Sequence, residues 1–163
     1  MKNIYILFLL GVVVTTLSCE DGNKNYTEEF DSVYYYLKEG VNEFDFYSVN
    51  SAKVQTITVG RGGHGLNGVS TINLVPFTQA EMDEYNATID GDYKLLAPEY
   101  YDMPATVAFE DGVEYRNVDV VFKGNMSELA KTGEYMLPIR LEADNGTVND
   151  NKNIIYFKPN IIV

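Results

Sequence analysis

From Glu134 to Leu141 every second residue is apolar: Tyr135, Leu137, Ile139 and Leu141 fall on one side of an extended chain, with Glu134, Met136, Pro138 and Arg140 on the other. A two-residue period suits a strand with one face in a core and does not suit a helix, whose apolar positions recur every three or four residues. Pro138 has no N–H for a ladder, so an edge or bulge position is expected there. Asn117 to Phe122 repeats the pattern, with Val118, Val120 and Phe122 opposed to Asn117 and Asp119. Val54–Val59, Val69–Val75, Thr106–Phe109 and Ile154–Phe157 complete the set, and Ser32–Leu37 opens it. Asp111-Gly112 and Asn145-Gly146 supply tight turns between strands. The chain is therefore predicted to be all-β, an immunoglobulin/fibronectin-like β-sandwich of about seven strands.

One or two short helices interrupt the strands. Thr78 and Glu81 have the spacing of a capping box, and Met82, Tyr85 and Ile89 recur at helical intervals, so a helix is predicted over Gln79–Ala87. Asn125 with Glu128 prescribes a single turn around Leu129. Both helices are expected to cover an open end of the sandwich.

Ahead of the strands, Ile4 to Val14 is an apolar run behind Lys2, the length of a signal-peptide core and short of the ~20 residues of a membrane span. It leads to Leu17-Ser18-Cys19, a lipobox with Thr16 where Leu is usual. Cys19 is the chain's single cysteine, and lipidation is the simplest reason for a lone thiol in an exported chain. A diacylglyceryl-plus-acyl cysteine carries enough buried methylene for lasting anchorage. Glu20-Asp21 resembles the acidic signal that sends Bacteroidetes lipoproteins to the outer face of the outer membrane; a solvated tether is the other reading. The expected organisation is a signal peptide (1–18), a lipidated flexible tether (19–31) and a single sandwich domain (32–163). The location is the outer membrane, facing the cell exterior, with the lipid anchor as the membrane contact. Loss of residues 1–18 removes one lysine and no acid, so the formal charge of -12 becomes -13. Such a body repels phosphate backbones, which excludes nucleic acid as a partner.

Asp83-Glu84-Tyr85-Asn86-Ala87, then Tyr93-Lys94-Leu95-Leu96 and Pro98-Glu99-Tyr100-Tyr101, resemble the EYNA…YKLLPE…Y signature of a Bacteroidetes surface-lipoprotein domain of unknown function. Val59-Gly60-Arg61-Gly62-Gly63 is similar to that family's strand-then-glycine turn, and Gly133 to Ile139 to its GKYLLPIKI strand. The resemblance runs from about Val33 to the C-terminus. It implies a sandwich module of the kind that precedes family-18 glycosidase-like or laminin-G-like domains in glycan-utilisation systems. It implies no catalytic residue within the module. The sequence runs to Val163 just past its last strand, so no downstream domain's activity is carried over.

The residues themselves offer little chemistry. Gly60-Arg61-Gly62-Gly63-His64-Gly65 satisfies G-x-G-x-x-G after a strand, but a pyrophosphate site needs a helix N-terminus next, and Val69–Val75 is another strand. A glycine turn between paired strands, with Arg61 and His64 exposed on it, is expected instead. His64 is the one histidine, so a multi-histidine zinc site is unavailable, and its glycine-rich surroundings give a catalytic triad no rigid support. Glu99 with Asp102 is one of many carboxylate pairs among twenty-four acids and is uninformative for glycoside hydrolysis. Asp144, Asn145, Asp150 and Asn151 could offer calcium ligands but lack EF-hand spacing, and a turn is favoured. Asp31-Ser32-Val33 resembles a Bacteroidetes O-glycosylation acceptor. No cofactor, metal or catalytic set is assigned, and the chain is not read as an enzyme.

Exposed aromatic rings that stack on sugar faces fit the predicted address. Tyr34, Tyr36, Tyr100 and Tyr101 are the candidates for glycan contact, although the chain has no Trp. The function expected is a non-catalytic surface module that binds glycan or acts as a spacer. The alternative is a structural or adhesive subunit that meets a protein partner through an unpaired sheet edge.

Overall fold

The computed structural model describes residues 32–48, 52–63, 66, 68–124 and 126–163. The expected signal peptide and tether, with Cys19, Glu20 and Asp21, as well as His64 and Asn125, lie outside the described residues. In chain order the strands are β1 (Val33–Tyr36), β2 (Gly40–Tyr47), β3 (Lys53–Gly62), β4 (Ser70–Pro76), β5 (Lys94–Leu95), β6 (Tyr101–Asp102), β7 (Thr106–Phe109), β8 (Tyr115–Phe122), β9 (Tyr135–Ala143), β10 (Thr147–Val148) and β11 (Ile154–Ile162). Helix α1 spans Gln79–Ile89. One sheet has the order β10-β1-β3-β8-β6 and the other β2-β11-β9-β4-β7, with β5 also on β9. This is the predicted all-β sandwich.

Between the sheets lies the core that the alternation requires. Tyr34, Tyr36, Val59, Val120 and Phe122 point in from the first sheet, and Ile72, Leu137, Ile139 and Phe157 from the second. Its rings interlock: Phe122 meets Phe157 at 5.4 Å and Phe44 at 4.7 Å, and Tyr34 meets Phe109 at 5.7 Å. Tilted ring pairs of this kind add to the gain from burial itself.

Strand β9 is the spine of the second sheet. It pairs with β11 on one side, Leu137 opposite Phe157, and with β4 on the other, Ile139 opposite Pro76. Phe77 N–H donates to Pro138 O at 3.1 Å and Leu96 N–H to Met136 O at 2.9 Å, so even-numbered residues of β9 turn their backbone towards β4 and β5. Pro138 therefore stands at the seam where β4 has left β9 and β5, which begins again at Lys94 opposite Tyr135, has not arrived. Its missing N–H breaks no ladder bond, although the strand is central and in regular register, neither the edge nor the bulge that the sequence suggested.

Out of that seam comes α1. Thr78 accepts from Glu81 N–H while the Glu81 carboxylate accepts from Thr78 N–H at 2.7 Å, the capping box the sequence implied. The helix runs to Ile89, two residues beyond the predicted end, and Asp90 closes it at φ 54°. It does not cover an open end of the sandwich: it lies on the outer face of the second sheet. Met82 is fully buried there, Tyr85 stacks on Tyr156 at 4.6 Å, and Phe77 meets the same Tyr156 ring edge-on at 6.1 Å. Asn86 holds the return strand like a short ladder, donating Nδ2 to Tyr93 O at 2.8 Å and accepting Tyr93 N–H at 3.0 Å. Thus Tyr85, Asn86 and Tyr93 of the EYNA…YKLL signature fasten a helical insertion to a sheet. The turn around Leu129 is a 3-10 helix, Leu129–Lys131.

Strand β2 was not anticipated, and it forms a parallel ladder of eight pairs with β11, from Gly40 opposite Ile155 to Tyr47 opposite Ile162. That ladder carries β11 beyond the expected Phe157. Ser48 N–H donates to Ile162 O and Leu141 N–H to Asn153 O, so odd-numbered residues of β11 turn towards β9. The β9 ladder ends at Phe157, and Pro159 falls past it. The Asp111-Gly112 and Asn145-Gly146 turns do not close hairpins: each carries the chain from one sheet to the other, β7 to β8 and β9 to β10. At Gly146, with φ 95°, a Cβ would stand 2.6 Å from Ser32 O, so only glycine lets the first strand lie against this corner.

Glu81 also accepts from Arg140, whose guanidinium holds Glu142 at 2.5 Å and lies 5.8 Å over the Phe77 ring. The Thr78 N–H, then the Arg140 and Thr78 side-chain hydrogen bonds, hold the Glu81 carboxyl down at about 2, below its ordinary 4.5. A depressed folded-state pKa stabilises fully above the unfolded value and is lost as pH falls through the folded one. Thermal melts from pH 5 down to pH 2 are expected to show a smaller loss for Glu81→Gln than for the wild type, because the variant has no proton to take up at this cap.

Candidate functional site

The tyrosines expected to face sugar divide sharply. Tyr34 and Tyr36 have no exposed surface, and their hydroxyls lack a hydrogen-bond partner among the described residues. Their proposed role in glycan contact is corrected: both rings belong to the sandwich core, because β1 turns its even positions inward. Burial pushes the Tyr36 phenol well above its usual range. Tyr100 and Tyr101 are half-buried, and both rings pack against the core. Tyr100 ends a 3-10 turn, and Tyr101 begins β6, opposite Phe122. Asp102, of the uninformative Glu99 and Asp102 pair, forms an ion pair with Lys123 at 3.7 Å. Asp144 accepts from Asn73 Nδ2 at 3.0 Å, and Asn149 turns its loop by accepting Asn151 N–H at 3.0 Å.

Arg61 is the second correction. It is buried, 1% exposed, and not displayed on a turn. It shares the inward parity of Ile57 and Val59 on β3, while the glycines on either side point outward. All five guanidinium N–H groups are taken: Nε donates to Val113 O at 3.2 Å, Nη1 to Gly68 O and Ser70 Oγ at 3.0 Å each, and Nη2 to Leu66 O at 2.6 Å and Glu110 O at 2.9 Å. The Phe109 ring lies 5.5 Å from the guanidinium carbon. Four carbonyls and a hydroxyl leave no donor for a phosphate, and the group clasps the β3–β4 connection to the β7–β8 turn.

One concave feature of the described surface is a groove of about 590 Å³ between β2, β11 and the segment entering β9. Phe44, Pro159 and Ile161 line it from strand positions that face the core, and Tyr135 adds an aromatic wall. Glu43, Asp45, Glu134, Lys158 and Asn160 supply the polar groups. Lys158 Nζ lies 3.2 Å from both Glu43 and Glu134 and 5.2 Å over the Tyr93 ring. Burial opposes its charge, but hydrogen bonds to the two carboxylates outweigh burial and hold the ammonium above the ordinary lysine range. Asn160 Nδ2 donates to Asp45 Oδ1 at 2.9 Å, and Tyr135 exchanges a hydrogen bond with Thr132 at 2.9 Å. Carboxylates, an amide and an ammonium beside a ring give paired donors and acceptors for hydroxyl groups, in a volume typical of small-ligand sites. No sequence signal marked this groove, since its walls come from positions near 43, 134 and 158.

Residues 20–148 match a family model described as "-like, N-terminal domain". Among solved structures the chain is similar to a Bacteroides ovatus protein of unknown function (17% identity, TM-score 0.64, 78% of this chain and 44% of that one). It is also similar to a Bacteroides ovatus candidate carbohydrate-binding protein (18%, 0.60, 77% and 36%). A third is Bacteroides thetaiotamicron EndoBT-3987, solved with a Man5GlcNAc product (9%, 0.54, 74% and 28%). At these identities the likeness is one of fold, and the chain spans less than half the length of each. No curated protein matches the chain.

Arg61→Lys keeps the charge but leaves carbonyls of the clasp unpaired, and is expected to lower the melting temperature by about 10 °C. By contrast, Tyr34→Phe and Tyr36→Phe each remove an unpaired buried hydroxyl and are expected to be neutral or to stabilise by up to ~1 kcal/mol in denaturant unfolding.

Proposed function

The chain belongs to this family of N-terminal domains, and from that premise we propose that it is a non-catalytic module of a glycan-handling surface protein, one that holds saccharide and does not cleave it. The observation that carries this reading is the groove walled by Tyr135, Glu43, Asp45, Lys158 and Asn160, where hydroxyl-matching polar groups stand beside an aromatic ring. The neighbouring folds support it, since one is described as a candidate carbohydrate binder and another was solved with an oligosaccharide product. Lys158 is engaged by two carboxylates, which suits an orienting role and not that of a proton donor. An anchor through Cys19 and export through Glu20-Asp21 would present the domain to extracellular polysaccharide.

Affinity electrophoresis of the purified full chain through gels containing neutral polysaccharides tests the reading. Retardation is expected with at least one polysaccharide, and Tyr135→Ala or Asp45→Ala should weaken it by about tenfold, or ~1.4 kcal/mol, with an unchanged circular dichroism spectrum. A folded chain that migrates freely through every gel would point to a spacer or protein-binding role instead.

A further inference from the structure

The outer face of the first sheet carries an arrangement distinct from the groove. On β3, Gly60 and Gly62 point outward, and Tyr35 of β1 lies over them. A Cβ built on Gly60 would stand 2.5 Å from Tyr35 Cζ and 2.7 Å from Cε2, and one on Gly62 would stand 3.5 Å from Cε1. The ring thus spans both glycines and rests on bare backbone, one face towards the strand and the other away from it. Tyr35 and Tyr115 are both register partners of Gly60, one on each side of β3. Strand spacing sets their backbones about 10 Å apart. The neighbouring Tyr115 side chain, ahead of burial, pushes the Tyr35 phenol above its usual range. Tyr115 is 50% exposed.

The face continues along β3 and β8 as a polar ladder. Thr58 Oγ1 donates to Asn117 Oδ1 at 2.8 Å, and Thr56 Oγ1 donates to Asp119 Oδ1 at 2.7 Å. Val54 opposite Val121 ends it. Four such rows, two residues apart, give a strip about 20 Å long. Two rings at one end followed by hydroxyl, amide and carboxylate groups do not resemble a protein–protein core, which is apolar at its centre. The chain's charge of -12 disfavours anionic polymers.

We propose that this face binds a linear neutral saccharide chain, with Tyr35 and Tyr115 stacking under a pyranose ring and the Thr58–Asn117 and Thr56–Asp119 pairs contacting the hydroxyls of the following sugars. The proposal rests on the glycan reading above but on a different surface, so the two can fail separately. The glycines are what make it possible: any side chain at 60 would collide with the Tyr35 ring and lift it from the sheet.

Titration of the 15N-labelled full chain with cellohexaose, mannohexaose and xylohexaose, followed by amide NMR, tests it. With at least one of these probes, saturable shifts are expected at Gly60, Gly62, Tyr115 and Asn117. Tyr115→Ala, at a half-exposed position, should weaken the affinity by about tenfold with an unchanged circular dichroism spectrum. Shifts confined to Tyr135, Asn160 and their neighbours would overturn the proposal and leave the groove reading standing. Absence of saturable shifts with all three probes, alongside free migration in the polysaccharide gels, would overturn both. Sedimentation showing a dimer of this chain that Tyr115→Ala converts to monomer would overturn the sheet-face proposal as well.

Discussion

Strand β9 has to satisfy its backbone on both sides, and the rest of the second sheet follows from how it does so. On one side a single strand, β11, is enough. On the other, β4 covers the C-terminal part of β9 and β5 the N-terminal part, and Pro138 occupies the place between them where no donor is needed. Because the two covering strands come from one excursion of the chain, the sheet can carry a helix on its outer face without losing a ladder bond. Met82, Tyr85 and Tyr156 then bury that helix, and Asn86 binds its far end to Tyr93. The family signature in this region is accounted for by support of the fold and not by chemistry.

A similar economy of position governs the Gly60-Arg61-Gly62 triplet. Consecutive residues of a strand face opposite ways, so one short run places a charged clasp inside and two bare positions outside. The clasp fixes the β3–β4 connection, and the bare positions let a ring lie flat. What looks like a nucleotide-binding motif in one dimension becomes, on a strand, two unrelated devices on opposite faces.

Much of the sandwich was legible in the alternation of apolar residues, because burying one face leaves a period that side chains cannot hide. Strand β2 escaped notice because its apolar positions, Val41, Phe44 and Phe46, do not keep to one parity, and Glu43 and Asp45 make the segment look like solvent-exposed loop. The two-residue strands β5, β6 and β10 are too short to have a period at all. The turn dipeptides revealed where the chain bends but not that it changes sheets, which depends on partners far away in sequence. Tyr34 and Tyr36 necessarily share a face opposite Tyr35, yet local pattern does not say which face is wet. Arg61 could have been placed, since it continues the inward parity of Ile57 and Val59; glycine neighbours drew the reading towards an exposed turn instead. The groove left no local trace, being assembled from three distant stretches.

The parallel ladder between β2 and β11 sets how the domain bears a load. These strands run side by side in the same direction for eight pairs, so tension drawing Gly40 one way and Ile162 the other acts along the ladder. Its hydrogen bonds must then yield together, whereas a ladder opened from one end gives way a pair at a time. A body pulled at those two points would, with this arrangement, resist being unravelled.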